Sequence, residues 1–131
     1  MRDPEKLLVF QDANSLAEEV YRVTADFPIQ ERYGLTNQIR RAAMSVPSNL
    51  VEGCSRESVA DFRRFVEIAL GSAMELHYQL GFALRMNMVT AVENVQLLAE
   101  ARDRSAVVGK SLNNLIRSLR AKSQEPRAKS Q

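Results

Sequence analysis

Apolar residues return every three or four positions along most of this chain, and no stretch alternates apolar with polar. That period places them on helix faces, not strand faces. It predicts four helices. The first covers about Val9 to Asp26, with Ala13, Leu16, Ala17, Val20, Tyr21 and Thr24 on one side. Phe27-Pro28 ends it, because the residue before a proline avoids helical backbone. Thr36 is the expected N-cap of the second helix, which turns Ile39, Ala42, Ala43, Val46, Leu50 and Val51 inward. Gly53 is expected to close it in the left-handed region. Ser58 as N-cap with Asp61 three residues on opens the third helix, which runs to Asn87. Thr90 and Glu93 have capping-box spacing for the fourth, which carries Val95, Leu98, Val108, Leu112, Leu115, Ile116 and Leu119. The link from Asn87 to Thr90 is too short for anything but an antiparallel neighbour.

These elements predict an all-α, antiparallel up-and-down four-helix bundle over residues 1–119, followed by a disordered basic tail over 120–131. Pro47 falls inside the second helix, where it lacks an N–H and crowds the carbonyl of Ala43. The apolar spacing keeps phase on both sides, so the expectation is a kinked but continuous helix. Ser45 or Ser48 is expected to bond the freed backbone groups.

The long third helix is apolar over too much of its circumference. Phe62, Phe65, Ala69, Ala73, Leu76, Leu80 and Ala83 form one stripe, and Val66, Leu70, Met74, Tyr78, Gly81 and Phe82 form much of another. An outer helix of a small bundle needs only one such stripe. Covering about 300 Å² of surplus is worth about 7 kcal/mol before association costs. A homo-oligomer follows as the expectation, the alternative being a broad core within one copy. Gly71, Ser72 and Ala73 are small, as are Ala42, Ala43 and Ser45, which suggests a close crossing of the second and third helices there.

Polar residues also line up. Gln38, Arg41, Ser45, Asn49 and Glu52 follow one face of the second helix, and Glu67, Ser72 and Glu75 belong to the third. Antiparallel packing would bring Glu67 near the Arg41–Asn49 stretch and Glu75 near Arg41 or Gln38. An arginine fork suits such carboxylates. The expectation is a structural polar network that sets register, the alternative a solvated charged face.

Composition narrows the chemistry. The chain has 131 residues and formal charge +2. Arg117, Arg120, Lys122, Arg127 and Lys129 against Glu125 give the C-terminal stretch +4, so the body up to Ile116 is net −2. The tail repeats RAKSQ at Arg120–Gln124 and Arg127–Gln131. Cys54 is the sole cysteine, which fits a reducing compartment. No stretch resembles a signal peptide or a membrane span, and a cytoplasmic location with no membrane partner is expected. No metal-ligand spacing, phosphate loop or matched acid–base pair is present, so neither cofactor, metal nor catalytic residue is expected. His77 is read as a packed imidazole and Cys54 as an inert thiol, although a helix N-terminus close by favours the thiolate. Arg40, Arg63 and Arg64 are candidates for a basic patch that binds nucleic acid or a partner, against the plainer reading of solvated helix charges.

The pieces Phe27-Pro28, Tyr33-Gly34-Leu35, Gln38-Ile39-Arg40-Arg41-Ala42, Ser45-Val46-Pro47-Ser48-Asn49, Glu52-Gly53 and Ala69-Leu70-Gly71-Ser72 followed by Glu75-Leu76 together resemble a bacterial family. It is encoded in intervening sequences of 23S ribosomal RNA genes and often labelled S23 ribosomal protein. The resemblance spans Phe10 to Leu119. It implies a four-helix bundle assembled as a homopentamer. Relatives include the accessory variability protein of diversity-generating retroelements, a basic pentamer that binds a reverse transcriptase and nucleic acid. The functional expectation is a non-enzymatic oligomeric scaffold that binds RNA or an RNA-handling protein. The alternative is a protein-interaction module for a reverse transcriptase or another partner, without direct nucleic-acid binding.

Overall fold

The computed structural model describes residues 2–123. It contains helices α1 (Leu8–Thr24), α2 (Leu35–Cys54), α3 (Val59–Arg85) and α4 (Val92–Ser123), with short 3₁₀ turns at Pro4–Lys6 and Ile29–Glu31. Each helix packs on its neighbours in sequence, and α1 closes the bundle against α4. Cross-helix pairs run in opposite senses: Ser45 meets Ser72 while Gly53 meets Phe62, and Glu67 meets Arg120 while His77 meets Ser105. The bundle is therefore antiparallel, up and down, as the periodicity predicts.

Its core takes the expected stripes. Leu16, Val20, Ile39, Val46, Leu50, Phe62, Leu76, Leu80, Leu98, Leu112 and Ile116 are all buried. Three residues assigned inward, Tyr21, Val51 and Val95, are exposed instead, because each lies at the margin of its stripe. Helix α2 runs unbroken through the buried Pro47. Ser45 does not serve the backbone there. Its hydroxyl crosses to Ser72, and the Asn49 amide donates to the Ser45 carbonyl and hydroxyl.

The ends of the helices differ from expectation in instructive ways. Ser58 caps α3 as predicted, its Oγ accepting from the Asp61 N–H. Thr36, however, is buried within the first turn of α2, which begins after Gly34. Helix α4 starts at Val92, with the Val95 N–H bonded to the Ala91 carbonyl. No glycine among the described residues has positive φ, so Gly53 is not a left-handed cap. It lies inside α2, and a Cβ there would sit 2.9 Å from Phe65 Cβ and 3.1 Å from Phe62 Cδ1. Its role is close helix approach. The left-handed cap belongs to Asn87 (φ 55°), where the Asn87 N–H bonds the Leu84 carbonyl and the Met88 N–H reaches the Ala83 carbonyl. That pair of bonds is a Schellman closure of α3.

Gly71 reverses another expectation. A Cβ at Gly71 would meet nothing within 4 Å, so α2 does not press on it. The surplus apolar surface of α3 is partly absorbed within one copy: Val66 and Gly81 are buried, and Leu70 and Phe82 are half-buried. Met74 and Tyr78 remain open, each 64% exposed. The helix α4 continues to Ser123, past the Leu119 boundary assigned to the bundle. The remainder of the tail, 124–131, lies outside the described residues.

Candidate functional site

The sequence places Arg56, Arg63 and Arg64 where α2 turns into α3, the fold adds Arg2, and Arg2, Arg56 and Arg64 lie over aromatic rings. The Arg2 N–H bonds the Cys54 carbonyl at 2.8 Å, which straps the N-terminal segment over the end of α2. The Arg2 guanidinium then lies 4.3 Å from the centre of the Phe62 ring and donates to the Arg56 carbonyl at 3.3 Å. Arg56 and Arg64 lie 4.9 Å and 4.7 Å from the centre of the Phe65 ring. Stacking holds each planar cation and leaves edge N–H groups to donate outward. Arg63 is half-buried, and its Nε and that of Arg56 are enclosed without a partner. Glu52 partly offsets the charge through a 3.2 Å pair with Arg56.

Arg40 does not join this group. Its Nε donates to Thr24 Oγ1 at 2.8 Å and its Nη2 to the Tyr21 carbonyl at 3.1 Å, with the cation over the Tyr21 ring. It ties α2 to the last turn of α1. The 13 residues from Arg40 to Gly53 span about 20 Å of helix, which separates it from Arg63 and Arg64.

The predicted polar network is also divided. Glu67 faces α4, where it pairs with Arg120 at 3.0 Å, and not α2. Glu52 turns to Arg56 and to the Ser55 hydroxyl. Asn49 bonds Ser45 within its own helix. The rest do converge: Gln38, Arg41, Ser45, Ser72 and Glu75 line, together with Gln79, an open cleft of about 420 Å³ between α2 and α3. Arg41 and Glu75 share this cleft, and among the described residues neither forms an ion pair. Gln79 is only 8% exposed, and its Oε1 has no hydrogen-bond partner.

A second groove of about 500 Å³ lies between α3 and α4 and is more apolar, with Leu70, Ala73, Met74, Ala106 and Gly109 in its wall. His77 stands at its edge, Nδ1 within 3.0 Å of the Arg102 carbonyl and 3.2 Å of Ser105 Oγ. That makes the imidazole a clamp between α3 and α4. Cys54 is buried, and burial pushes its thiol above the usual range, with Arg2 opposing weakly and Asp3 adding to the rise. The nearby start of α3 does not activate it.

Sequence reasoning missed Arg2, Arg56 and Gln79. Arg2 lies far away along the chain, and only the strap brings it to Phe62. Arg56 is readable from its place between Gly53, expected to close the second helix, and Ser58, expected to open the third. Gln79 stands three residues after Leu76 and four before Ala83, and that spacing is the signal that places it on the buried stripe.

The chain matches a family model described as 23S rRNA-intervening sequence protein over residues 5–110. It is similar to a crystal structure of a protein of unknown function from the S23 ribosomal protein family of Bacteroides thetaiotaomicron VPI-5482. The TM-score is 0.72 at 24% identity, covering 83% of this chain and 98% of that one. At that identity the likeness establishes the fold. No curated protein matches the chain.

Proposed function

We infer that this chain, which belongs to the 23S rRNA-intervening sequence protein family, is a non-enzymatic helical scaffold that assembles with its own copies and binds RNA at its arginine-rich end. The observation that carries the RNA reading is the set of guanidinium groups of Arg2, Arg56 and Arg64 held over the rings of Phe62 and Phe65. Phosphate oxygens match such forks, and phosphate neutralisation supplies most of the affinity for nucleic acid. An acidic body favours contact confined to this end. Arg63 contributes charge from beneath, while Arg40 is engaged with α1 and plays no part.

Self-association is supported by the apolar groove between α3 and α4 and by the exposed Met74 beside it. The surface that the long third helix leaves over lies there. A five-membered ring is what the family resemblance implies, and it would repeat the arginine-rich end around one axis.

The test is RNA binding by fluorescence anisotropy over a salt series, with sedimentation run in parallel. Affinity for a structured RNA should fall as salt rises. Arg63→Ala with Arg64→Ala should weaken it and reduce the logarithmic salt slope by roughly 1.5. Flat curves at low salt remove the RNA reading. A single 14.8 kDa species at micromolar concentration removes the assembly reading. An assembly that captures a reverse transcriptase or other protein, yet no RNA, would favour the protein-interaction module.

A further inference from the structure

The cleft between α2 and α3 contains groups that the fold leaves unsatisfied, and they match one kind of ligand. Arg41 presents five donors in a fixed fork, and Glu75 presents a carboxylate that only accepts. Both line the cleft, and among the described residues neither is spent on an ion pair. Gln79 is only 8% exposed, and among the described residues its Oε1 has no donor. A buried amide oxygen without a partner is costly, and a ligand that supplies a donor relieves it. The hydroxyls of Ser45 and Ser72 satisfy each other at 2.8 Å and close the floor.

Beside the cleft lies a more apolar shelf of about 380 Å³ that shares Gln38, Glu75 and Gln79 and adds Leu35, Tyr78 and Phe82. Tyr78 and Phe82 have ring centroids 6.5 Å apart, and the Arg85 guanidinium lies 5.9 Å from each ring centre. Polar edge groups next to an aromatic surface and a cation form a site for a flat heterocycle that carries a phosphate.

We propose that the Arg41–Glu75–Gln79 cleft with its Tyr78–Phe82 shelf binds an unpaired guanine nucleotide. Guanine offers two adjacent N–H donors, N1–H and N2–H, for the Glu75 carboxylate, and the second hydrogen of its N2 amine for Gln79 Oε1. It offers two adjacent acceptors, O6 and N7, for the Arg41 fork. Cytosine lacks the donor pair, and adenine and uracil lack both. Tyr78 supplies the stacking surface and Arg85 the charge for the phosphate. The proposal rests on the RNA reading above for its choice of a base carried on a strand, but its site is separate from the arginine-rich end.

The experiment titrates GMP, AMP, CMP and UMP separately into the full-length protein, followed by NMR of the side-chain amides and by calorimetry. GMP should shift the Gln38 and Gln79 amide signals and bind about tenfold more tightly than AMP. Glu75→Gln should abolish that preference, and Tyr78→Ala should weaken all four nucleotides. Both positions are exposed, so the bundle should melt as wild type; Arg41→Gln gives a second variant if either does not. Equal affinity for the four nucleotides, or a preference unchanged in Glu75→Gln, overturns the proposal. So does dissociation of the assembly by Glu75→Gln, which would make the cleft a contact between copies. RNA binding without guanine preference removes the cleft and leaves the arginine-rich end. GMP binding without RNA binding does the reverse.

Discussion

The hydroxyl oxygens of Ser45 and Ser72 lie 2.8 Å apart across the seam between α2 and α3. The same Ser45 oxygen accepts from the Asn49 amide at 3.0 Å, so one short hydroxyl links three polar side chains beside the Arg41–Glu75 cleft. Ser72→Ala should cost about 1 kcal/mol, because it leaves a half-buried Ser45 hydroxyl with one partner fewer. Ser45→Ala with Ser72→Ala should cost less than the two singles added together. Urea unfolding of all four proteins reads the coupling directly, and strict additivity would mean the bond contributes nothing.

Two helical glycines, Gly53 in the last turn of α2 and Gly71 in the middle of α3, should respond oppositely to alanine. At Gly53 the new methyl meets Phe65 Cβ at 2.9 Å and Phe62 Cδ1 at 3.1 Å. Overpacking costs about 1–3 kcal/mol and outweighs a propensity gain of about 1 kcal/mol, so Gly53→Ala should lower the melting temperature. At Gly71 nothing stands within 4 Å, and only the propensity gain remains. Gly71→Ala should raise stability by up to about 1 kcal/mol. Thermal unfolding of both variants tests the contrast.

Asn87 closes α3 in the left-handed region at φ 55°. Asn87→Ala should destabilise by about 1 kcal/mol, since a Cβ without a local polar side chain is disfavoured there. Asn87→Gly should be neutral or stabilising, because glycine adopts this backbone freely. Equal losses for both would show that the asparagine side chain matters more than the backbone angle. Denaturant midpoints are sufficient to decide.

The buried Cys54 thiol is pushed above its ordinary range, chiefly by burial. The folded state therefore holds this proton more tightly than the unfolded chain. Its contribution is fully present below the unfolded thiol value, about 8.5, and declines as pH rises above it. Between about pH 8 and 10 the wild type should lose more stability than Cys54→Ala, whatever the offset between them. Native Cys54 should also react with a thiol reagent only as fast as the bundle opens.

Glu67 and Arg120 form a 3.0 Å pair with both side chains substantially exposed. Removing either partner should change stability by less than about 1 kcal/mol. The strong carboxylate of the predicted network is thereby an ordinary surface group. A larger loss in Glu67→Gln would mean that the pair anchors the C-terminal turns of α4. Helix content by circular dichroism measures that outcome.

Much of this molecule was legible before any coordinates. Apolar residues at spacings of three and four determined the four helices, the buried leucines and the antiparallel order, because that period admits one face and the links admit one direction. Ser58 and Asp61 marked the start of α3 because capping is a local bond between near neighbours. What spacing cannot encode is which residue meets which across helices. Glu67 and Glu75 share a face of α3, yet a small rotation gives one to Arg120 and the other to the cleft. Gly53 and Gly71 look alike in sequence, and only the neighbouring helix decides that one is crowded and the other open. Arg40 and Arg64 each stand beside another arginine in the sequence, Arg41 and Arg63, but the end of α1 captures the first. Arg2 reaches Phe62 only because the N-terminal strap bonds Cys54. Local energetics determined the elements; the rotation and pairing of those elements, a sum of many distant contacts, decided the sites.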